Sequence, residues 1–236
     1  MTRIIGCLSW YNESPAMLAA CVQSLTFIDH LVAVDGAYAT FPSSQPHSAA
    51  DQASIIQNTC RNLNIGCTIH APTHPWIGGE VEKRTFLFHL AEANAQPYDD
   101  WYYVADADET ITHILEHPRQ HLEDADEDAA HIMYWWHRPH QPPDTRPFPT
   151  PLREQTTIRK FFRAIPGLHV DQAHYRYRTP NGRLLWNAGG DSEPVLDLSD
   201  IIRVQHRNAE RDLWRQQEAQ RYYEHRDCHK LEHVNA

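Results

Sequence analysis

Asp99-Asp100-Trp101-Tyr102-Tyr103-Val104-Ala105-Asp106-Ala107-Asp108-Glu109-Thr110 reads as a buried strand that runs into acid. Aromatic and branched side chains from Trp101 to Ala105 suit a pleated, covered surface. Three carboxylates then fall within four positions, at Asp106, Asp108 and Glu109. In an open α/β sheet, ligands bind outside the carboxyl ends of the strands, so a site is expected here. A turn after the strand sends Asp106 and Asp108 to different neighbours, one to a metal and one to an adjoining group. Hard oxygen donors of this kind suit Mg²⁺ or Mn²⁺, which complete their shells with water and substrate phosphates. A second acid-x-acid run, Asp124-Ala125-Asp126, sits among Glu123, Glu127 and Asp128 with no apolar strand before it. It reads as an exposed acidic face.

Upstream, apolar runs alternate with helical periodicity. Arg3 to Ser9 is a strand pattern, followed by Ser14-Pro15, a helix start, and by Leu18, Cys21, Val22 and Leu25 at helical spacing. Leu31 to Val34 is a second strand, closing on Asp35-Gly36. Ile56, Cys60 and Leu63 mark a second helix, Gly66 to His70 a third strand, and about Glu80 to Asn94 a third helix. This alternation predicts one α/β domain over residues 1–236, with a mostly parallel, Rossmann-like central sheet built mainly from residues 3–136. Right-handed crossovers bring the ends of strands one, two and four to one edge. Tyr11-Asn12-Glu13, Asp35-Gly36 and Asp106-Ala107-Asp108 then line one pocket.

Downstream the pattern loosens. His131 to Trp136 is a strand, and the six prolines from Pro139 to Pro151 predict a surface loop. Thr157 to Arg163 and Leu168 to Val170 are short strands. Asn181-Gly182 signals a hairpin between Tyr175–Arg178 and Leu184–Trp186. Ile201 to Gln205 is a last strand ending at His206. A polar helix anchored by Trp214 and Tyr222 is expected from Asn208 onward.

The 236 residues carry 21 basic and 31 acidic side chains, a formal net charge of −10, which argues against a protein held on nucleic acid by nonspecific phosphate contacts. Hydrophobic residues make up 41% and place the chain among globular proteins. No apolar run approaches the ~20 residues that span a bilayer. Five cysteines form no C-x-x-C pair, and the N-terminus goes straight into a strand pattern, so a reduced, cytoplasmic protein is expected.

Several segments resemble, in their order, a GT-A type glycosyltransferase, in particular the small family-2-like enzymes of bacteria and their phages. They are Ser9-Trp10-Tyr11-Asn12-Glu13, Val34-Asp35-Gly36, Trp76-Ile77-Gly78-Gly79 leading into Lys83-Arg84, Asp106-Ala107-Asp108-Glu109, Arg159-Lys160-Phe161-Phe162-Arg163, and His206. The resemblance implies a nucleotide-sugar-binding half, residues 1–110, and a smaller acceptor-side β/α region, residues 111–236. It further implies that Tyr11, Asn12 and Asp35 hold the base and ribose, and that Lys83 or Arg84 faces the nucleotide. Asp106 would meet the ribose, and Asp108 and His206 the Mn²⁺ or Mg²⁺. The expected donor is a nucleotide-diphosphate sugar, UDP-linked by preference. The expected acceptor is a hydroxyl on a saccharide, a protein or a hydroxymethylated DNA base. For the catalytic base the candidates are Asp191 and Glu193.

Two alternatives stand beside this. Asp106-Ala107-Asp108-Glu109-Thr110 also resembles the D-x-D-x-T of haloacid-dehalogenase phosphatases, although that motif normally closes the first strand of its domain. A nonenzymatic nucleotide-binding module would keep the strands without needing Asp108. Arg207, Arg211 and Arg215 recur along one helix face, where solvation and i,i+4 pairing are the default expectation.

Overall fold

A computed structural model describes residues 1–39, 45–136, 155–172, 176–186, 193–211 and 217. The Pro139–Pro151 segment, Asp191, Trp214 and Tyr222 lie outside the described residues; of the helix expected from Asn208, the described part is a 3-10 turn, Asn208–Glu210, with Arg211 extended after it.

Strand β1 (Ile4–Ser9) is buried along its whole length, as expected of an apolar run covered on both faces. It pairs in parallel with β2 (His30–Val34) on one side and with β4 (Trp101–Asp106) on the other. Strand β3 (Gly66–His70) pairs in parallel with β2. The connections are α1 (Pro15–Ser24), α2 (Ala50–Asn62) and α3 (Gly79–Glu92). Ser14 caps α1, its hydroxyl accepting the Met17 N–H at 3.2 Å, with Pro15 in the first turn. Alternate side chains of the strands divide between two cores. Ile4 and Leu8 pack with Leu18, Val22 and Ile56 on one face. Ile5, Cys7 and Val34 pack with Leu87, Phe88 and Ala91 of α3 on the other.

The register Ser9↔Val34 and Ser9↔Asp106 aligns the three parallel strand ends on one edge, as expected. The alternation in the first half and the mixed α/β architecture are therefore as the sequence predicts.

The second half differs. After a two-residue turn, β5 (Glu109–Ile114) starts where the sequence pattern looks loose, followed by the short α4 (Arg119–Glu123) and β6 (Ala129–Trp136). Strand β7 (Gln155–Arg163) enters the sheet between β4 and β6, antiparallel to both. A three-stranded sheet of β8 (His169–Gln172), β9 (Arg176–Arg178) and β10 (Leu184–Trp186) lies apart and packs Val170, Tyr177 and Leu185 into the α3-side core. Strand β11 (Leu196–Asp197) pairs with β6, and β12 (Ile202–His206) lies between β6 and β5. Among the described residues, the expectation of a sheet from residues 3–136 thus holds for six of its nine strands. The other three come from the second half: β7 is interior with Phe161 and Phe162 in the two opposite cores, whereas β12 turns Ile202 and Val204 to the same core. Phe161 and Phe162, and Ile202 and Val204, are fully buried.

Strand direction then fixes where the chain ends emerge. Strand β6 runs with β4, both being antiparallel to β7, and β12 runs parallel to β6. The C-terminal end of β12 therefore points the same way as that of β4. His206 pairs in register with Glu109. No described helix is long and apolar enough to cross a membrane.

Candidate active site

The turn Ala107-Asp108 separates the two aspartates as the sequence anticipates. Asp106 ends β4 and Glu109 opens β5. Asp106 receives Nη2 of Arg84 on Oδ1 at 2.6 Å and has Nζ of Lys160 at 3.7 Å from Oδ2. The Arg84 Nε is held in turn by Glu80 at 3.0 Å, one helical turn earlier on α3. Beneath them Lys160 lies between both Glu109 oxygens at 2.6 and 2.8 Å, and Glu109 Oε2 accepts the Asp106 N–H at 3.1 Å. Lys160 and Glu109 are both buried, and the Tyr134 phenol also hydrogen-bonds Glu109. Burial pushes the Glu109 carboxyl up, against the pull of the Lys160 ammonium.

Asp108 turns the other way. Its Oδ2 meets Nε2 of His206 at 2.9 Å and Nη1 of Arg211 at 3.1 Å. Arg211 also reaches Glu13 in the segment between β1 and α1, with Nε at 3.0 Å from Oε2 and Nη2 on Oε1. Burial favours the neutral acid at Asp108, but the Arg211 and His206 charges outweigh it and hold the carboxyl at about 2. Burial likewise opposes the His206 imidazolium, and Asp108 overrides it, so the His206 pKa is raised. Among the described residues the buried Nδ1 of His206 has no hydrogen-bond partner.

The remaining first-half residues form a third group. Both oxygens of Asp35 are engaged: Oδ1 accepts from the Gly36 N–H at 2.6 Å and the Ser48 hydroxyl at 2.7 Å, and Oδ2 accepts the Ser48 N–H at 2.8 Å. Burial pushes this carboxyl up in spite of those bonds. Ser48 Oγ also accepts the N–H of Asn12, a residue with φ 49°. Tyr11 donates its hydroxyl to the Gln45 carbonyl at 3.1 Å. Lys83 is buried, and its ammonium donates to the Trp10 carbonyl at 2.6 Å and the Gly36 carbonyl at 2.9 Å. The Trp76 indole donates to the Asp35 carbonyl at 2.8 Å and packs in the core.

Of the sequence-derived residues, the structure brings Asp106, Asp108, Arg84 and His206 together and sets Asn12 and Asp35 on Ser48, with Tyr11 on the Gln45 carbonyl. The structure gives partners to three further residues. Lys83 clamps the ends of β1 and β2, and its two carbonyl partners leave Arg84 as the basic residue of α3 that meets the aspartates. Arg211 is no solvated helix-face arginine; it joins Glu13 to Asp108. Glu193 meets Arg159, whose Nη2 donates to its carbonyl at 2.8 Å, and among the described residues no hydrogen bond or ion pair joins it to Asp106 or Asp108. Asp191 lies outside the described residues. Glu80, Ser48 and the roles of Glu13, Glu109 and Lys160 are not among the features expected from the sequence. The Glu80-to-Arg84 spacing was the one local signal, since i,i+4 residues share a helix face.

A divalent cation is testable against this donor set. A carboxylate oxygen and an imidazole, the latter with an orphaned ring nitrogen, are donor types that Mn²⁺ or Mg²⁺ accepts. The described residues hold no group of three or more His, Cys, Asp or Glu arranged for a metal, so Asp108 and His206 would be two ligands in a shell otherwise filled by phosphate and water. In the structure the cation beside Asp108 is Arg211.

No protein-family model matches the chain, and no curated protein matches it significantly.

Proposed function

We propose that the protein is a metal-dependent glycosyltransferase of the GT-A type, taking its sugar from a nucleoside-diphosphate donor, UDP-linked by preference. The observation that supports it best is the approach of His206 to Asp108 at 2.9 Å, at the same edge as Asp35 and Asp106. A sequence separation of nearly a hundred residues is bridged by an interior strand that delivers one imidazole to one carboxylate.

In this reading Tyr11, Asn12 and the Asp35–Ser48 turn form the wall for the base and ribose. Arg84 fixes the Asp106 carboxylate so that its remaining lone pairs face the ribose hydroxyls. Asp108 and His206 hold the cation, which when bound stabilises negative charge on the departing diphosphate. Arg211 exchanges Asp108 for a phosphate oxygen and adds a second positive group where charge develops. Glu193 and Asp191 remain the candidates for the base that accepts the acceptor's proton. The net charge of −10 favours saccharide or protein acceptors over a DNA base.

Incubation with a panel of nucleotide sugars, with Mn²⁺ and then with chelator, tests this. The expected result is metal-dependent release of nucleoside diphosphate from one donor, lost in Asp108→Asn. No release from any donor under either condition would overturn it.

A second reading, the phosphatase, draws on Lys160, whose ammonium lies 3.7 Å from Asp106 Oδ2. Against it, Arg84 binds Asp106 directly and damps its nucleophilicity. Turnover of an aryl phosphate that is abolished by Asp106→Asn would favour the phosphatase.

A further inference from the structure

Four cysteines are free among the described residues, and two of them differ from the rest. Cys7 and Cys21 are buried in the cores, where burial pushes both thiols far up and leaves them inert. Cys60 and Cys67 lie side by side at the sheet edge remote from Asp106. Cys60 sits in the last turns of α2, and the chain reverses through Asn64, with φ 57°, while the Ile65 N–H bonds back to the Cys60 carbonyl at 3.0 Å. Strand β3 then starts at Gly66, where a Cβ would stand 2.2 Å from the His30 ring. That turn brings Cys67 back towards Cys60 at the end of α2. Cys60 is 1% exposed, whereas Cys67 is partly open to solvent. Both line an open depression of about 530 Å³ whose other walls include Gln57, Arg61 and Asn64.

We propose that Cys67 and Cys60 form a reactive dithiol that exchanges with small, negatively charged disulfides, Cys67 attacking and Cys60 resolving. The neighbouring Cys60 favours the Cys67 thiolate against the cost of its partial burial, while Cys67 and burial push the Cys60 thiol far up. In the first step the Cys67 thiolate attacks one sulfur of a disulfide RSSR. The Cys67–SR bond forms, the S–S bond breaks, and RS⁻ leaves. Cys60 then gives its proton to the released thiolate or to water and attacks the Cys67 sulfur. A Cys60–Cys67 disulfide forms and the second RS⁻ leaves. In sum, two protein thiols and RSSR give one protein disulfide and two RSH, so RSSR is the oxidant and is reduced by two electrons. Arg61, exposed at the rim, selects for anionic R groups.

The test uses the full chain in a Cys228→Ser background with the anionic aromatic disulfide 5,5′-dithiobis(2-nitrobenzoate) as probe. The expected result is rapid release of two equivalents of aryl thiolate per folded chain with no adduct retained. Peptide mapping of the same sample should then join Cys60 to Cys67, a readout that needs no further variant. Cys60→Ser should release one equivalent and keep the adduct on Cys67. Cys67→Ser should lose the rapid phase. Arg61→Glu should slow that phase severalfold for the anionic probe and leave the reaction with the cationic disulfide cystamine no slower. A retained adduct in the parent protein, an unchanged rapid phase in Cys67→Ser, or an Arg61→Glu rate equal to the parent's would overturn the proposal. None of these outcomes depends on sugar transfer.

Discussion

Asp106 and Asp108 stand two residues apart yet serve separate sets of partners. The arginine and lysine of Asp106 come from α3 and β7, the histidine and arginine of Asp108 from β12 and the residues after it. Below them the Lys160–Glu109 pair is shut off from water, with side-chain exposures of 1% and 3%. Breaking such a pair leaves a buried charge uncompensated, whereas removing both partners costs far less. Lys160→Met should therefore destabilise the protein by about 3–5 kcal/mol in urea unfolding, and Lys160→Met with Glu109→Gln should recover most of the loss. A double variant as unstable as the single one would show that packing, not charge, sets the cost. The aspartates themselves could be read from the sequence because an apolar strand ran into them. Glu109 and Lys160 could not, since their partnership spans 51 residues and needs β7 beside β4.

His206 and Asp108 also give stability a pH dependence in chelator. The His206 pKa is raised above 6.5, so its contribution is full below 6.5 and is lost as pH climbs through the folded value. Asp108 is lowered from 3.8 to about 2, so its contribution is full above 3.8 and is lost as pH falls toward 2. The melting-temperature gap between wild type and His206→Gln should be widest between pH 3.8 and 6.5 and should narrow at higher pH. A gap that widens steadily from pH 6 to 9 would contradict the pairing.

At the scale of elements, the site depends on what happens just after each strand. Gly36 follows β2 with φ 118°, a conformation side chains rarely adopt, and a Cβ there would stand 2.5 Å from Pro72 and 2.6 Å from the Trp76 indole nitrogen. Its carbonyl also receives Lys83. Gly36→Ala should cost about 2 kcal/mol or more through strain and overpacking, and should weaken nucleotide binding by displacing the Asp35–Ser48 turn. Chemical unfolding and a nucleotide titration check both effects; wild-type values for both would show that the turn is slack. The Asp35-Gly36 turn was legible as a strand end. Its anchoring by Ser48 was not, because nothing local in the sequence says that a loop thirteen residues later returns to one carboxylate. Strand β5 was missed for another reason. As a strand with half-exposed and exposed residues at Ile111, Thr112 and His113, it lacks the continuous apolar run that identified β1 and β4.

Across the whole molecule, one mixed sheet gathers charged residues from both halves at the carboxyl ends of its parallel strands. The first half was legible because strand and helix periodicities alternate regularly. The second was legible in its pieces but not in their order, since insertion of β7 and β12 between earlier strands is set by long-range pairing rather than by local pattern. The two acid-x-acid runs show the same division: Asp124 and Asp126 are exposed, as expected, whereas Asp108 is 3% exposed at the centre of the site. The proposed chemistry turns on whether Asp108 supports metal-dependent nucleotide binding. Calorimetric titration of uridine diphosphate into wild type, Asp108→Asn and Asp124→Asn, in Mn²⁺ and in chelator, measures it. Mn²⁺ should tighten binding at least tenfold in wild type and Asp124→Asn and have no effect in Asp108→Asn. Equal affinity with and without Mn²⁺ in wild type, or an undiminished Mn²⁺ effect in Asp108→Asn, would contradict it.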